Sequence, residues 1–202
     1  QRSWTSSRLG AAGLLILAAL SGLAALGPAS AQDRRQDTPG DFDYYVLSLS
    51  WSPSFCEEAE ERGNGRRSQA QCGGRPFSFV VHGLWPQVEG GRGPENCGPA
   101  RPVSEDIVRA TLGYIPTESL IQHEWSTHGT CSGLSATVYF TLVRRARDMV
   151  KIPNDLLAPV RQLRLNPEEI EARMAAANPN FPRGAFRVSC YPDAELQEVR
   201  IS

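Results

Sequence analysis

The chain has 202 residues, 41% apolar and 21% charged, which is enough apolar content to bury the core of one globular domain. Lysine plus arginine number 21 and aspartate plus glutamate 22, so the formal charge is −1. That balance excludes a bulk electrostatic binder of nucleic acid or anionic membrane, but not an enzyme that handles a short stretch of a polyanion. Five cysteines, none in a C-x-x-C pair, argue against a zinc ribbon or a thioredoxin-type redox site.

The first segment reads as an address. Arg2 and Arg8 precede an apolar run over residues 9–26, and Ala29-Ser30-Ala31 follows as a small-x-small cleavage signature. This predicts a secretory signal peptide over 1–31 and one domain over 32–202. The competing reading is an uncleaved membrane anchor, and the Ala, Gly and Ser content of the run speaks against it. Export to a periplasm or to the outside places the cysteines in an oxidising compartment, where disulfides form. The chain has no Asn-x-Ser/Thr acceptor, in keeping with a bacterial periplasm.

Residues 32–41 are polar and contain Pro and Gly, a loose leader. Residues 42–51 alternate and are rich in Tyr, Val and Leu, which predicts a strand ended by Pro53. The charged stretch 57–71 predicts a surface loop. Residues 77–82 predict a short buried strand, with His82 at its end and Gly83 turning the chain. Residues 90–102 form a Gly/Pro-rich loop. Residues 103–113 and 117–129 read as helices split by Pro116, the second capped by Thr117. Ser135 is placed to cap a helix to about residue 150, with Val138, Leu142, Ala146 and Met149 on its inner face. Asn166-Pro167-Glu168-Glu169 starts another helix, which stops near Asn178-Pro179. Residues 185–191 and 196–201 alternate around Pro192-Asp193, a C-terminal hairpin. Strands at both ends with helices between predict an α+β fold: a mainly antiparallel central sheet flanked by helices.

The three histidines all fall in two short aromatic segments: His82-Gly83-Leu84-Trp85-Pro86 and His123-Glu124-Trp125-Ser126-Thr127-His128-Gly129-Thr130-Cys131. Imidazole is the side chain best suited to exchange protons near neutral pH, and two imidazoles from different elements supply an acid and a base. On one helix Glu124 and His128 share a face, so the carboxylate is expected to orient the imidazole and favour its charged form. A zinc hydrolase would need HExxH with histidines four apart; here they are five apart. Trp51, Trp125 and most other aromatics are expected in the core. Arg144, Arg145 and Arg147 are expected on a solvated helix face.

The two segments, in this order and at this separation, resemble the paired HGLWP and HEWxKHGTC motifs of the ribonuclease T2 family. Leu47-Ser48-Leu49-Ser50-Trp51-Ser52-Pro53 and the late Glu198-Val199-Arg200-Ile201 are similar too, so the likeness covers roughly residues 44–201. The resemblance implies a disulfide-braced fold of that family and a metal-independent endoribonuclease of low base specificity, without cofactor. It implies that His128 takes the proton of the ribose 2′-hydroxyl and His82 protonates the departing 5′-oxygen. The products are 2′,3′-cyclic phosphate ends, then 3′-phosphates. Glu124 sets the charge of His128 and the phosphate, His123 holds the phosphate, and Trp85 stacks on a base. Gln87 and Leu120 occupy places where base-pocket residues often lie. The implied partner is single-stranded RNA, not DNA, for a monomer with no stable membrane association after leader removal.

One position departs from the family pattern: Thr127 stands where a lysine is usual, so a positive charge near the phosphate is missing unless an arginine from elsewhere supplies it. This keeps a second expectation, a catalytically weak RNA- or protein-binding member of the same fold. The resemblance further pairs Cys56 with Cys72 and Cys97 with Cys131. It leaves Cys190 over, with a family partner expected near position 202.

Overall fold

The computed structural model describes residues 38–65, 68–73, 77–157 and 165–202. The signal peptide expected over 1–31 lies outside them. Among the described residues no helix is long and apolar enough to cross a membrane.

Strand β1 (Tyr44–Trp51) is the predicted first strand. It runs into helix α1 (Ser52–Glu61), because Pro53 falls in the first helical turn, where a missing N–H costs nothing. The expected loop over 57–71 is therefore corrected: it holds the second half of α1 and most of the short α2 (Gln69–Cys72). Its charged residues face solvent while Ala59 turns inward, and the Cys56–Cys72 disulfide fastens the two helices. Strand β2 (Phe79–Gln87) does not stop at His82 but continues through the first motif. Helices α3 (Glu105–Thr111), α4 (Glu118–Thr127) and α5 (Ala136–Met149) follow, with a 3-10 turn at Gly129–Ser132 between the last two. After α6 (Asn154–Leu157) come α7 (Pro167–Ala177) and the hairpin of β3 (Phe186–Cys190) and β4 (Leu196–Ile201).

The predicted caps form. Thr117 Oγ1 accepts from Leu120 N at 3.1 Å, and Ser135 Oγ from Val138 N at 3.4 Å. Asn166 and Glu169 make a reciprocal capping box, with bonds of 2.8 and 2.9 Å. On α5 the inner face is Tyr139, Phe140 and Val143, with Leu142 and Ala146 at its border. The expected Val138 and Met149 are exposed. The bulk of the two adjacent aromatics turns the helix by about one residue from the aliphatic stripe. Arg144 and Arg145 are exposed as expected. Arg147 is instead half-buried and donates to Val150 O, closing the helix end.

The four strands form one antiparallel sheet in the order β2-β1-β4-β3. Leu47 faces Ile201 and Leu84, and Leu49 faces Val199 and Val81. These residues pack with Ile121, Tyr139, Phe140 and Val143 in the core. The opposite parity carries Ser48, Ser50, Glu198 and Arg200 on the other face. Pro86 sits on the edge strand β2, where its lost donor leaves no ladder bond unmade, and Val81 N reaches out to Tyr114 O at 2.9 Å. At the other edge Val188 N of β3 donates to Glu171 Oε1 of α7 at 3.0 Å.

The hairpin corrects one more expectation. Cys190 lies opposite Leu196, while Ser202 N bonds Ala185 O at the far end. Six residues of strand span roughly 20 Å, so position 202 cannot meet Cys190 in a disulfide, whose Cα atoms lie about 6 Å apart.

Leu49 is fully buried in the middle of the sheet. Leu49→Ala is expected to cost about 3 kcal/mol in urea unfolding; a loss below about 1 kcal/mol would contradict its central place.

Candidate active site

The site is built on an irregularity of β2. Leu49 pairs with Val81, and the next residue of β1, Ser48, pairs with Gly83, so His82 is an extra residue, a β-bulge. In a regular strand His82 and Trp85, three apart, would point to opposite faces. The bulge brings both onto the face of Ser48, Glu198 and Arg200. Their rings meet edge to face, with centroids 5.1 Å apart. Gly83 leaves room behind them, since a Cβ there would run into the Glu124 carboxylate and the Trp85 indole.

Two carboxylates bracket His82. Glu198 Oε2 lies 3.3 Å from Nδ1, and Glu124 Oε1 lies 3.7 Å from Nε2. Burial opposes a charge on His82, but the Glu198 hydrogen bond and the charges of Glu124 and Glu198 outweigh it and raise its pKa; Arg200 acts the other way. Glu124 is almost wholly buried and accepts from Trp85 Nε1 at 2.9 Å. Burial pushes its pKa up to about 7, against the pull of His82 and Trp85. Glu198 is equally buried, yet Ser48 Oγ donates to it at 2.7 Å and Arg200 Nε at 2.6 Å. These donors, with His82, overcome burial and bring its pKa down to about 2.

His128 caps the C-terminus of α4, with φ −115° and ψ −40°. Its N–H still bonds Glu124 O at 3.0 Å. The expected pairing of the Glu124 carboxylate with the His128 imidazole is nevertheless corrected: the carboxylate turns to Trp85 Nε1 and His82, and His128 Nδ1 has no hydrogen-bond partner among the described residues. His128 lies against Trp85, centroids 5.4 Å apart, so one indole carries both imidazoles. Burial, reinforced by His123 and His82, brings the His128 pKa down to about 4. His123 is exposed one turn back, its Nδ1 3.5 Å from Thr127 Oγ1. The Cys97–Cys131 disulfide and the bond of Asn96 N to Thr127 O, 2.7 Å, clamp this end of α4. Both implied disulfides are present, and Cys190 is free and exposed.

A cleft of about 610 Å³ opens beside His82 and Glu198. Phe55, Leu120 and Tyr191 give it apolar walls, and Glu58, Gln71 and Ser119 give it polar ones. Leu120 lines this cleft, while Gln87 is not part of the lining. Glu198 and Arg200 were not singled out by sequence as site residues. The only signal was their place in the late strand, because their partner His82 is 116 residues away from Glu198. Near mildly acidic pH the arrangement offers a charged imidazole at His82 and a neutral one at His128, a proton donor and a proton acceptor against one indole.

Both the sequence and the α+β fold have known counterparts. The sequence model of the Ribonuclease T2 family matches residues 42–201, and the chain belongs to that family. It is 34% identical over 163 residues to a probable ribonuclease of Haemophilus influenzae, covering 76% of this chain and 57% of that one. It is 38% identical over 117 residues to a ribonuclease of Aeromonas hydrophila, covering 58% and 50%. The chain thus spans about half the length of these curated relatives. Among solved structures, RNase NT in complex with 5′-AMP aligns with a TM-score of 0.57 at 21% identity, over 79% of this chain and 84% of that one. Trichomaglin, described as a novel S-like ribonuclease, aligns with a TM-score of 0.60 at 20% identity, over 79% and 85%. These two likenesses establish the fold.

Gly83→Ala is expected to displace the Trp85–Glu124 pair. Tryptophan fluorescence should shift, and urea unfolding should show a loss of about 2 kcal/mol. An unchanged spectrum would contradict the close approach at Gly83.

Proposed function

We propose that the protein is an exported, single-domain endoribonuclease that cleaves single-stranded RNA without a metal ion or cofactor. His128 takes the 2′-hydroxyl proton, the 2′-oxygen attacks phosphorus, and His82 protonates the departing 5′-oxygen. A 2′,3′-cyclic phosphate results, and water then opens it to a 3′-phosphate. The nucleophile belongs to the substrate, so DNA is not cut. The observation that carries this reading is the pair of imidazoles packed against the one Trp85 indole and displaced in opposite directions, His128 down and His82 up.

Glu124 acts here on His82 and on the phosphate. With its pKa near 7 it is largely protonated in mild acid and can donate to a phosphoryl oxygen. His123 meets the phosphate from α4, with Thr127 beside it. Trp85 touches both histidines, and a base meets it and the apolar walls of the cleft beside His82 by stacking and apolar contact, which every base satisfies. The two disulfides and the predicted leader over 1–31 support a secreted or periplasmic location, and the protein acts there as a monomer.

A second reading, an RNA- or protein-binding member that turns over weakly, rests on Thr127, which brings no charge to the site. Turnover separates the two. Folded protein should cleave single-stranded RNA in excess EDTA, leave cyclic phosphate ends, and spare DNA. His82→Ala and His128→Ala should each lose on the order of 10³-fold in kcat. No cleavage by folded protein at any pH would overturn the enzyme reading.

The pH profile follows from the shifts. His128 must be neutral, so kcat/KM should rise through about pH 4. His82 must be charged and Glu124 protonated, so it should fall above about pH 7. A profile still rising at pH 8 would contradict the assignment of acid and base.

A further inference from the structure

The phosphorane formed during cleavage carries added negative charge, and Thr127 offers it a hydroxyl but no cation. Strand β4 brings a cation from another direction. The Arg200 guanidinium lies over the Trp85 ring, its Cζ 5.4 Å from the centroid, on the face of the sheet that carries His82. Its side chain is half-exposed, so it remains open to a ligand. Two of its nitrogens, Nε at 2.6 Å and Nη2 at 2.5 Å, hold one oxygen of Glu198, Oε1. The other oxygen, Oε2, faces Ser48 Oγ at 2.7 Å and His82 Nδ1 at 3.3 Å. Each carboxylate oxygen thus has a separate set of donors. A buried carboxylate is costly unless fully engaged, and an apolar residue would serve the sheet as well at that position.

We propose that the Glu198–Arg200 couple of β4 belongs to the catalytic machinery: Glu198 is the positioning residue that accepts the Nδ1 proton of His82, and Arg200 presents to the phosphate the cation that position 127 lacks. The proposal rests on the ribonuclease reading above. With Nδ1–H tied to Glu198, the proton that leaves is the one on Nε2. As the P–O5′ bond breaks, the 5′-oxygen takes that proton, while the 2′-oxygen, its own proton passed to His128, closes the ring. His82 ends neutral with Nδ1–H still bonded, and Glu198 stays ionised throughout. Arg200 meets the non-bridging oxygens, whose charge grows only in the transition state.

The titratable groups facing His82 are Glu124 and His128 from α4 and its end, and the charged groups are Glu198 and Arg200 from β4. They fix the signs of the test, which compares pH profiles of Glu198→Gln and Arg200→Gln with intact disulfides. Glu198→Gln removes a carboxylate that favours the charged imidazole, so the alkaline limb should move to lower pH and kcat fall on the order of 10²-fold. Arg200→Gln removes a repelling cation, so the limb should move to higher pH while kcat again falls roughly 10²-fold. Arg200→Lys, or Thr127→Lys in the Arg200→Gln background, should restore part of the loss. Folded variants that keep the parent profile and kcat within about twofold would overturn the proposal, as would a loss confined to stability. If Glu198→Gln does not fold, the imidazole ¹⁵N shifts of the unaltered protein decide: a neutral His82 protonated at Nδ1 supports the proposal, and one protonated at Nε2 overturns it. Those shifts, and inorganic phosphate binding by the parent and Arg200→Gln, remain readable in a protein that fails to cleave RNA. In that event the ribonuclease reading falls separately, and unaltered phosphate binding in Arg200→Gln would remove Arg200 from the site.

Discussion

The architecture of the site depends on one extra residue in β2. Strand alternation has a period of two, and the spacing of His82 and Trp85 is odd, so a regular ladder would place one of them in the core and the other outside. The bulge at His82 removes that conflict. It keeps Val81 and Leu84 facing the core while moving His82 onto the face of Trp85, Glu198 and Arg200. It sits opposite the step from Ser48 to Leu49 in the middle of β1, so the surrounding ladder fixes it on both sides. Gly83 follows because the same displacement carries the β2 backbone against the Glu124 carboxylate.

Around that bulge two glutamates of equal burial come to opposite states. Glu198 receives hydroxyl, guanidinium and imidazole donors, and their sum exceeds the cost of desolvation. Glu124 receives one indole N–H, and its second oxygen has no hydrogen-bond partner among the described residues, so desolvation prevails. One imidazole therefore sits between a carboxylate that stays charged and one that takes a proton near neutrality. The richer set of donors on Glu198 separates the two.

Much of this was legible in the sequence where the signal is local. The caps at Thr117, Ser135 and Asn166, the C-terminal hairpin and the mainly antiparallel α+β arrangement all rest on residues within a few positions of one another. The motifs also placed His82 and His128 together through their likeness to a family. The failures share a different cause. A bulge leaves no mark in a hydrophobic pattern, so β2 seemed to end at His82. Helix α1 is rich in glutamate and reads as loop until Pro53 and the Cys56–Cys72 bridge give it a start and an anchor. The face of α5 was decided by the packing of Tyr139 and Phe140 rather than by the spacing of its aliphatic residues. Glu198 owes its role to a partner 116 residues away, which only the sheet order reveals.

The two margins of the sheet share a property. A strand with free N–H and C=O groups along its edge is a template for another strand, the usual route to fibrous assembly. On β2, Pro86 has no donor to offer and Val81 N is already taken by the turn at Tyr114. On β3, the Glu171 carboxylate accepts the Val188 donor before a neighbouring chain can. Strand addition is thus hindered at these positions of both margins, a built-in brake on the sheet growing by pairing with copies of itself.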